Sequence, residues 1–204
     1  MKRLTTASRR SVIGLAVLGA AGMALVGAGP AQAAAPVRVV AASNSQAPAF
    51  GQRYFDCVPE YGCHATAVLP KSWKHTGLGN GEHRFADRAV PRMVRFDINL
   101  ATHPGTATAA LQKQKALKGT PGLKILGLQN GTMRSTNQQG PLRISTLVYT
   151  YRSGSSTRWV ATRYIGFHGD KTAAAEITVG GRLQDRVLLG TVLTKATQSL
   201  ALAG

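Results

Sequence analysis

Residues 142–167 read LRISTLVYTYRSGSSTRWVATRYIGF. Leu142, Ile144 and Val148 alternate with Leu147, Tyr149 and Tyr151, so a strand here is apolar on both faces near its middle, and Trp159 to Phe167 repeats the pattern. A strand with one wet face needs no such pattern; this one needs a layer above and a layer below. The polar stretch Ser153-Gly154-Ser155-Ser156 separates the two runs by a tight turn, which makes them an antiparallel pair.

The elements on either side fit the same frame. From Arg92 to Leu100, Val94, Phe96, Ile98 and Leu100 alternate with Arg95, Asp97 and Asn99, as in a strand with one buried face. Thr66 to Leu69 is a short strand-like run ending at Pro70, with Trp73 just beyond. Thr106 is placed to cap a helix that runs to about Lys118 and stops at Gly119 and Pro121. Leu123 to Leu128 reads as a strand and Asn130-Gly131 as a hairpin turn. Thr172 to Val179 reads as a further strand broken by Gly180-Gly181. Finally Leu189, Val192, Leu193, Ala196 and Leu200 fall on one helical face, with Gly190 a weak point that the helix tolerates. The expected fold class is α+β: an antiparallel β-sheet flanked by helices.

The N-terminal segment reads as an address. Lys2, Arg3, Arg9 and Arg10 precede an uncharged stretch from Ser11 to Gly29, and Ala31-Gln32-Ala33 then supplies a signal-peptidase pattern, so cleavage is expected after Ala33. Ser8-Arg9-Arg10-Ser11-Val12-Ile13 resembles the twin-arginine signal, which leaves the export route open between that and general secretion. No cysteine near the cleavage site points to a lipoprotein, and no segment of the mature chain reads as a transmembrane anchor. Residues 34–53 read as a flexible leader and residues 54–204 as a single domain. Within it, Cys57 and Cys63 bracket Val58-Pro59-Glu60-Tyr61-Gly62, a reversal suited to a disulfide in an exported chain.

With 204 residues and 44% apolar side chains, the chain is one ordinary domain able to form a packed core. It carries 25 Lys and Arg against 8 Asp and Glu, a net charge of +17, and the charged total of 16% is low because acids are scarce. Few carboxylates remain for acid/base pairs or hard-metal sites. Removing residues 1–33 takes away four basic and no acidic side chains, so the excess belongs to the mature protein. Outside a cell such a charge either draws anionic partners, envelope polymers or an acidic protein surface, through a salt-screened field, or serves only to keep the protein soluble.

Specific chemistry is sparse. His64, His75, His83, His103 and His168 lack metal-ligand spacing and read as surface or turn histidines. Gly77-Leu78-Gly79-Asn80-Gly81 resembles a phosphate loop in composition alone and reads as a plain flexible loop. No G-x-S-x-G elbow is present, and Asp87, Asp97 and Asp170 read as partnered surface acids. Asn130-Gly131-Thr132 fits the glycosylation pattern but reads as turn chemistry. No catalytic residue, metal ligand or cofactor site is expected, and no specific nucleic-acid recognition. The candidate polyanion-binding residues are Arg143, Arg152, Arg158 and Arg163, interleaved with Tyr149, Tyr151, Trp159 and Tyr164. The competing reading makes those aromatics core, with the arginine side chains reaching out at its edges.

Several short motifs in this order resemble a known family. Leu69-Pro70-Lys71-Ser72-Trp73, Phe85-Ala86-Asp87, Arg95-Phe96-Asp97, Gly140, Tyr149, Tyr151, Arg158-Trp159, Ile177-Thr178-Val179 and the last helix are similar, over about residues 66–202, to the Mog/PsbP-like α/β/α sandwich family, in particular its secreted actinobacterial members. The resemblance implies an antiparallel sheet between helical layers and a non-enzymatic binding or accessory role. The acidic surface with which eukaryotic members hold a small GTPase has no counterpart in this acid-poor chain. The expected function is therefore a secreted, non-catalytic binding module with a basic surface. The alternative is a small secreted hydrolase or inhibitor with an unrecognised site.

Overall fold

The structure, a computed structural model, describes residues 47–56, 63–100 and 102–203. The expected signal segment 1–33 and Cys57 lie outside the described residues. The elements run β1 (Phe50–Asp56), β2 (His64–Pro70), β3 (Lys74–Gly79), β4 (Glu82–Ala86), β5 (Met93–Asp97), α1 (Thr106–Ala116), β6 (Lys124–Arg134), β7 (Pro141–Ser153), β8 (Ser156–Gly166), β9 (Ala175–Arg182), α2 (Arg186–Ser199) and β10 (Ala201–Ala203). Seven strands form one sheet in the order β3-β4-β5-β9-β8-β7-β6, and β1-β2-β10 form a second. Every strand pair in both sheets is antiparallel. The fold class is α+β, as the patterning of residues 142–167 requires.

The two-sided strands sit where both faces are covered. On one face of β7 and β8, Leu147, Tyr149 and Val160 pack beneath Leu117 and Leu123, while Tyr164 packs with Ala109 and Ala110 of α1. On the other face Leu142, Trp159, Ala161 and Ile165 join the main core with Leu189, Val192, Leu193 and Ala196 of α2. Aromatic bulk at these positions is thus core, at roughly 1.5–3 kcal/mol for each large side chain taken from water. The turn between the strands is the two residues Gly154-Ser155, and Gly154 has the positive φ of 60° that such a tight connection uses.

On the α2 side the cover is uneven. The small sheet lies over the β3–β5 end, where Phe55 of β1 meets Phe85 and Phe96 at ring-centroid distances of 5.6 and 4.9 Å. Helix α2 lies over β9 and β8. Toward β6 and β7 the cover opens at a groove beside Gln129, Gly131, Ile144 and Thr146, and closes again where the β6–β7 connection meets the end of α2 through Thr136 N–H and Gln198 O. No helix of the described residues is long and apolar enough to cross a membrane.

Four expectations about local structure are corrected. Strand β1 begins at Phe50, inside the segment read as leader, because its alternating partners on β2 give it a sheet to join. Asn130-Gly131 is no turn: it lies mid-strand in β6, opposite Ser145 and Ile144, and the chain reverses at residues 135–140, where Gln138 and Gly140 have φ of 64° and 65°. The glycine-rich run at 77–81 is the end of β3 and a hairpin turn, with Asn80 and Gly81 at φ of 50° and 76°. Gly180-Gly181 does not break β9; both residues stay paired with Val160 and Trp159. A Cβ on Gly181 would lie 2.8 Å from Leu189 Cδ1 and 2.9 Å from Arg92 Cβ, so glycine there lets the helix approach the sheet.

Candidate anion-binding site

The four candidate arginines do not form one patch. Arg143 and Arg158 share the α1 face of the sheet with Tyr149 and Tyr151, but they stand toward opposite ends of the β7–β8 ladder, where Arg143 pairs with Gly166 and Arg158 with Tyr151. Arg152 is exposed beside the β7–β8 turn, and its backbone N–H donates to Pro121 O. Arg163 points to the α2 face. Its Nε donates to Thr146 Oγ1 at 2.9 Å and its Nη1 to Thr197 Oγ1 at 3.1 Å, so it is half-buried beside α2. Burial pulls its pKa down to about 10. An alternating strand gave no sign in the sequence of which arginine would be covered by a helix.

What unites this half of the molecule is a charge pattern the four residues only sample. Residues 98–169 hold Lys113, Lys115, Lys118, Lys124, Arg134, Arg143, Arg152, Arg158 and Arg163, with no Asp or Glu. The pattern was present in the sequence as a run without acids rather than a run of bases. Strands β6, β7 and β8 and helix α1 all come from it. Among the described residues only Lys113 of this set reaches a carboxylate, Glu176 at 3.4 Å. The other ion pairs gather on the remaining strands and the start of α2: Arg92 with Asp87 and Asp185, Arg182 with Asp185, and Arg95 with Glu82.

A cleft of about 320 Å³ opens between the start of α1 and β6–β7, at the border of the acid-free stretch with Asp170-Lys171. Gly105 stands at the N-cap of α1 with no side-chain cap, and the first turn carries no acid. The positive end of the helix therefore faces the cleft without an internal counter-charge. Arg143 and Lys171, both exposed, line it beside Thr106, Thr108, Asn130 and Ser145. Two exposed cations and a helix N-terminus together suit a phosphate or carboxylate group.

His64, His103 and His168 are exposed, as expected, but His75 and His83 are not. Pairing of His75 with Phe85 and of Gly77 with His83 puts His75 and His83 diagonally on one face of the β3–β4 hairpin, with His75 Nε2 and His83 Nδ1 3.1 Å apart. His75 stacks on Phe85 with centroids 4.6 Å apart, and His83 lies 4.9 Å from Phe55. Burial is the main cause that lowers both pKa values; His83 adds to it at His75, as does Arg53, and Asp56 opposes it at both. This is a neutral, packed pair rather than surface residues. Recognising Asn80-Gly81 as the hairpin turn would have predicted it.

Of the three aspartates, Asp87 is held below the usual carboxylate range by the Ala89 N–H and Arg92, against its own burial, and Asp170 accepts from the Thr172 N–H. Asp97 differs. It lies in register with Glu82 on one side and Glu176 on the other, and burial, then those two carboxylates, push it up against the Asn99 N–H. Among the described residues no three His, Cys, Asp or Glu side chains are arranged to hold a metal ion.

No protein-family model matches the chain, and no curated protein matches it. Solved structures do. One is LpqN of Mycobacterium tuberculosis, described as involved in cell envelope biogenesis, with 11% identity over 76% of this chain and 92% of that one and a TM-score of 0.47. Another is the Ran-binding protein Mog1p of Saccharomyces cerevisiae, with 9% identity over 75% and 96% and a TM-score of 0.48. A third is a Pseudomonas aeruginosa protein of unknown function, described as a putative regulator, with 14% identity over 74% and 96% and a TM-score of 0.41. Likeness at this level ties no ligand or activity of those proteins to this chain.

Proposed function

We propose that the protein is an exported, non-catalytic binding module that holds an anionic polymer of the cell envelope on the acid-free half of its sheet. The observation that carries this reading is the stretch 98–169, whose nine Lys and Arg residues come with no acid and reach only Glu176. A soluble protein that needed charge merely to stay dispersed would intersperse both signs, as the β3–β5 end of this molecule does. The cleft lined by Arg143 and Lys171 is where a phosphate or carboxylate of the polymer first engages.

Export rests on the basic start, the apolar run and Ala31-Gln32-Ala33. The Cys57–Cys63 disulfide expected from the sequence would accord with an exported chain. An intact mass two hydrogens below that of the reduced chain checks the bridge; two thiols open to alkylation would contradict it.

The binding test is retention of the full chain on cell-envelope preparations rich in anionic polymer, with salt raised from ~50 to ~500 mM. Retention should fall steeply, and the double substitution Arg143→Glu with Lys171→Glu should weaken it at least ~10-fold at low salt. Retention that ignores salt removes the polymer. Salt-sensitive capture by an acidic protein, with none by the polymer, moves the reading to a protein partner.

A further inference from the structure

Arg163 poses a problem that the basic surface does not answer. A half-buried arginine loses part of its hydration, and no carboxylate compensates it among the described residues. Among the described residues its hydrogen bonds go to Thr146 Oγ1 and Thr197 Oγ1, with Met133 Sδ 4.0 Å from Nη1, and none of them uses Nη2. The last turn of α2 contributes only the partial negative charge of a helix C-terminus. Neutral donors would tie the two threonines together equally well.

The space beside this guanidinium is a groove of about 380 Å³ between α2 and β6–β8. It exists because side chains are missing. Gly131 on β6 and Gly190 on α2 both line it, and a Cβ built on either would meet nothing within 4 Å. The sheet register orders its floor. One row, Gln129, Thr146 and Arg163, is polar, and the next row offers Val148 and Ala161 with Trp159 beyond, beneath Leu193. A polar row ending in a cation, set against an apolar wall with an indole, is the lining of a site for a molecule with one charged end.

We infer that this groove binds a small amphipathic anion, a carboxylate or phosphate head on Arg163 with an apolar body lying along Val148, Trp159 and Leu193. The groove shares Asn130, Gly131 and Ile144 with the Arg143–Lys171 cleft, but its cation is Arg163, on the opposite face of the sheet from Arg143, so the two charged ends are tested by different substitutions.

Trp159 lines the groove and reports on it; the other tryptophan, Trp73, is fully buried elsewhere, and Trp73→Phe removes its signal. The full chain is titrated with octanoate, octyl phosphate and the neutral octyl glucoside, followed by Trp159 fluorescence and calorimetry. Saturable one-to-one binding of both anions is expected, at least ~10-fold tighter than the neutral analogue, as loss of a charge-assisted contact predicts. Arg163→Gln should erase that preference. Gly190→Leu, which fills the groove from a position with room for it, should abolish binding while the thermal midpoint is kept or raised. Arg88→Glu, at an exposed position just after β4 and outside the groove's lining, should leave binding within about twofold, in line with screened distant charge. No saturable binding of either anion, equal binding of octyl glucoside, or anion binding unchanged in Arg163→Gln or Gly190→Leu would overturn the inference.

Discussion

Two arginines lie under helix α2, and they live in opposite surroundings. Beneath its first turn Arg92 donates to Asp87 at 2.8 Å and Asp185 at 3.4 Å, and Asp185 also accepts from Arg182 at 2.9 Å. Asp185 stands at the helix N-cap, where the macrodipole also favours an anion. Toward the last turn Arg163 has two threonine hydroxyls and a groove. The first arrangement is closed on itself, so its charges stabilise the fold. The second is left open, and an open charge under a helix is available to something outside the chain.

If that contrast is right, substitutions at the two ends should differ in size and even in sign. The largest effect belongs to Asp185→Ala. It takes one of two carboxylates from Arg92, whose side chain is only 13% exposed, leaves Arg182 without its partner and loses the anion at the helix start. The cost should be about 3 kcal/mol, some 6–12 °C in the unfolding midpoint for a domain of this size. A loss under about 1 kcal/mol would show the closed cluster to be ornamental.

Next in size is a pair of glycines. Gly181→Ala pushes a methyl into Leu189 and Arg92 and should destabilise by about 1–3 kcal/mol, whereas Gly190→Ala enters open space on an α-helix and should stabilise by about 0.5–1 kcal/mol. Denaturant midpoints at constant slope check both. Equal signs would mean that the groove is no roomier than the closed end.

The His75–His83 pair adds a pH dependence. Folding lowers both pKa values, so the unfolded chain binds protons that the native chain refuses, and stability should fall as pH drops from about 6.5 through the lower native values. Thermal midpoints at pH 7 and pH 5 measure it, and a His75→Phe, His83→Leu variant should flatten the difference. The smallest effect is expected at Arg163→Gln, within about 1 kcal/mol of the parent, because it removes a desolvated charge without stranding a carboxylate.

The sheet's centre was legible from its residues because two-sided apolar strands admit few arrangements, and the final helix because its face repeats every third and fourth residue. Local turn chemistry was the weak guide. The chain holds two Asn-Gly pairs: Asn80-Gly81 makes a hairpin turn and Asn130-Gly131 runs straight through β6. A turn preference is a matter of about 1 kcal/mol, and at 130–131 it yields to the long ladder that the thirteen-residue β7 offers. Glycines 180 and 181 similarly stay in β9 because a close-packed helix needs them. The site residues were legible as types and not as places: alternation along β8 put Arg158 and Arg163 on opposite faces, and only the position of α2 decided which one was covered.

The central claim is that the acid-free half, and not net charge at large, meets the partner. The direct measurement compares salt dependence of envelope-polymer binding for two double variants of equal charge change, Arg143→Glu with Lys171→Glu, and Arg84→Glu with Arg88→Glu on the exposed acid-containing end. The first pair should flatten the slope of log affinity against log salt by roughly two ions and weaken binding about tenfold or more, while the second leaves the slope near the parent's. Equal losses from both pairs would contradict the account.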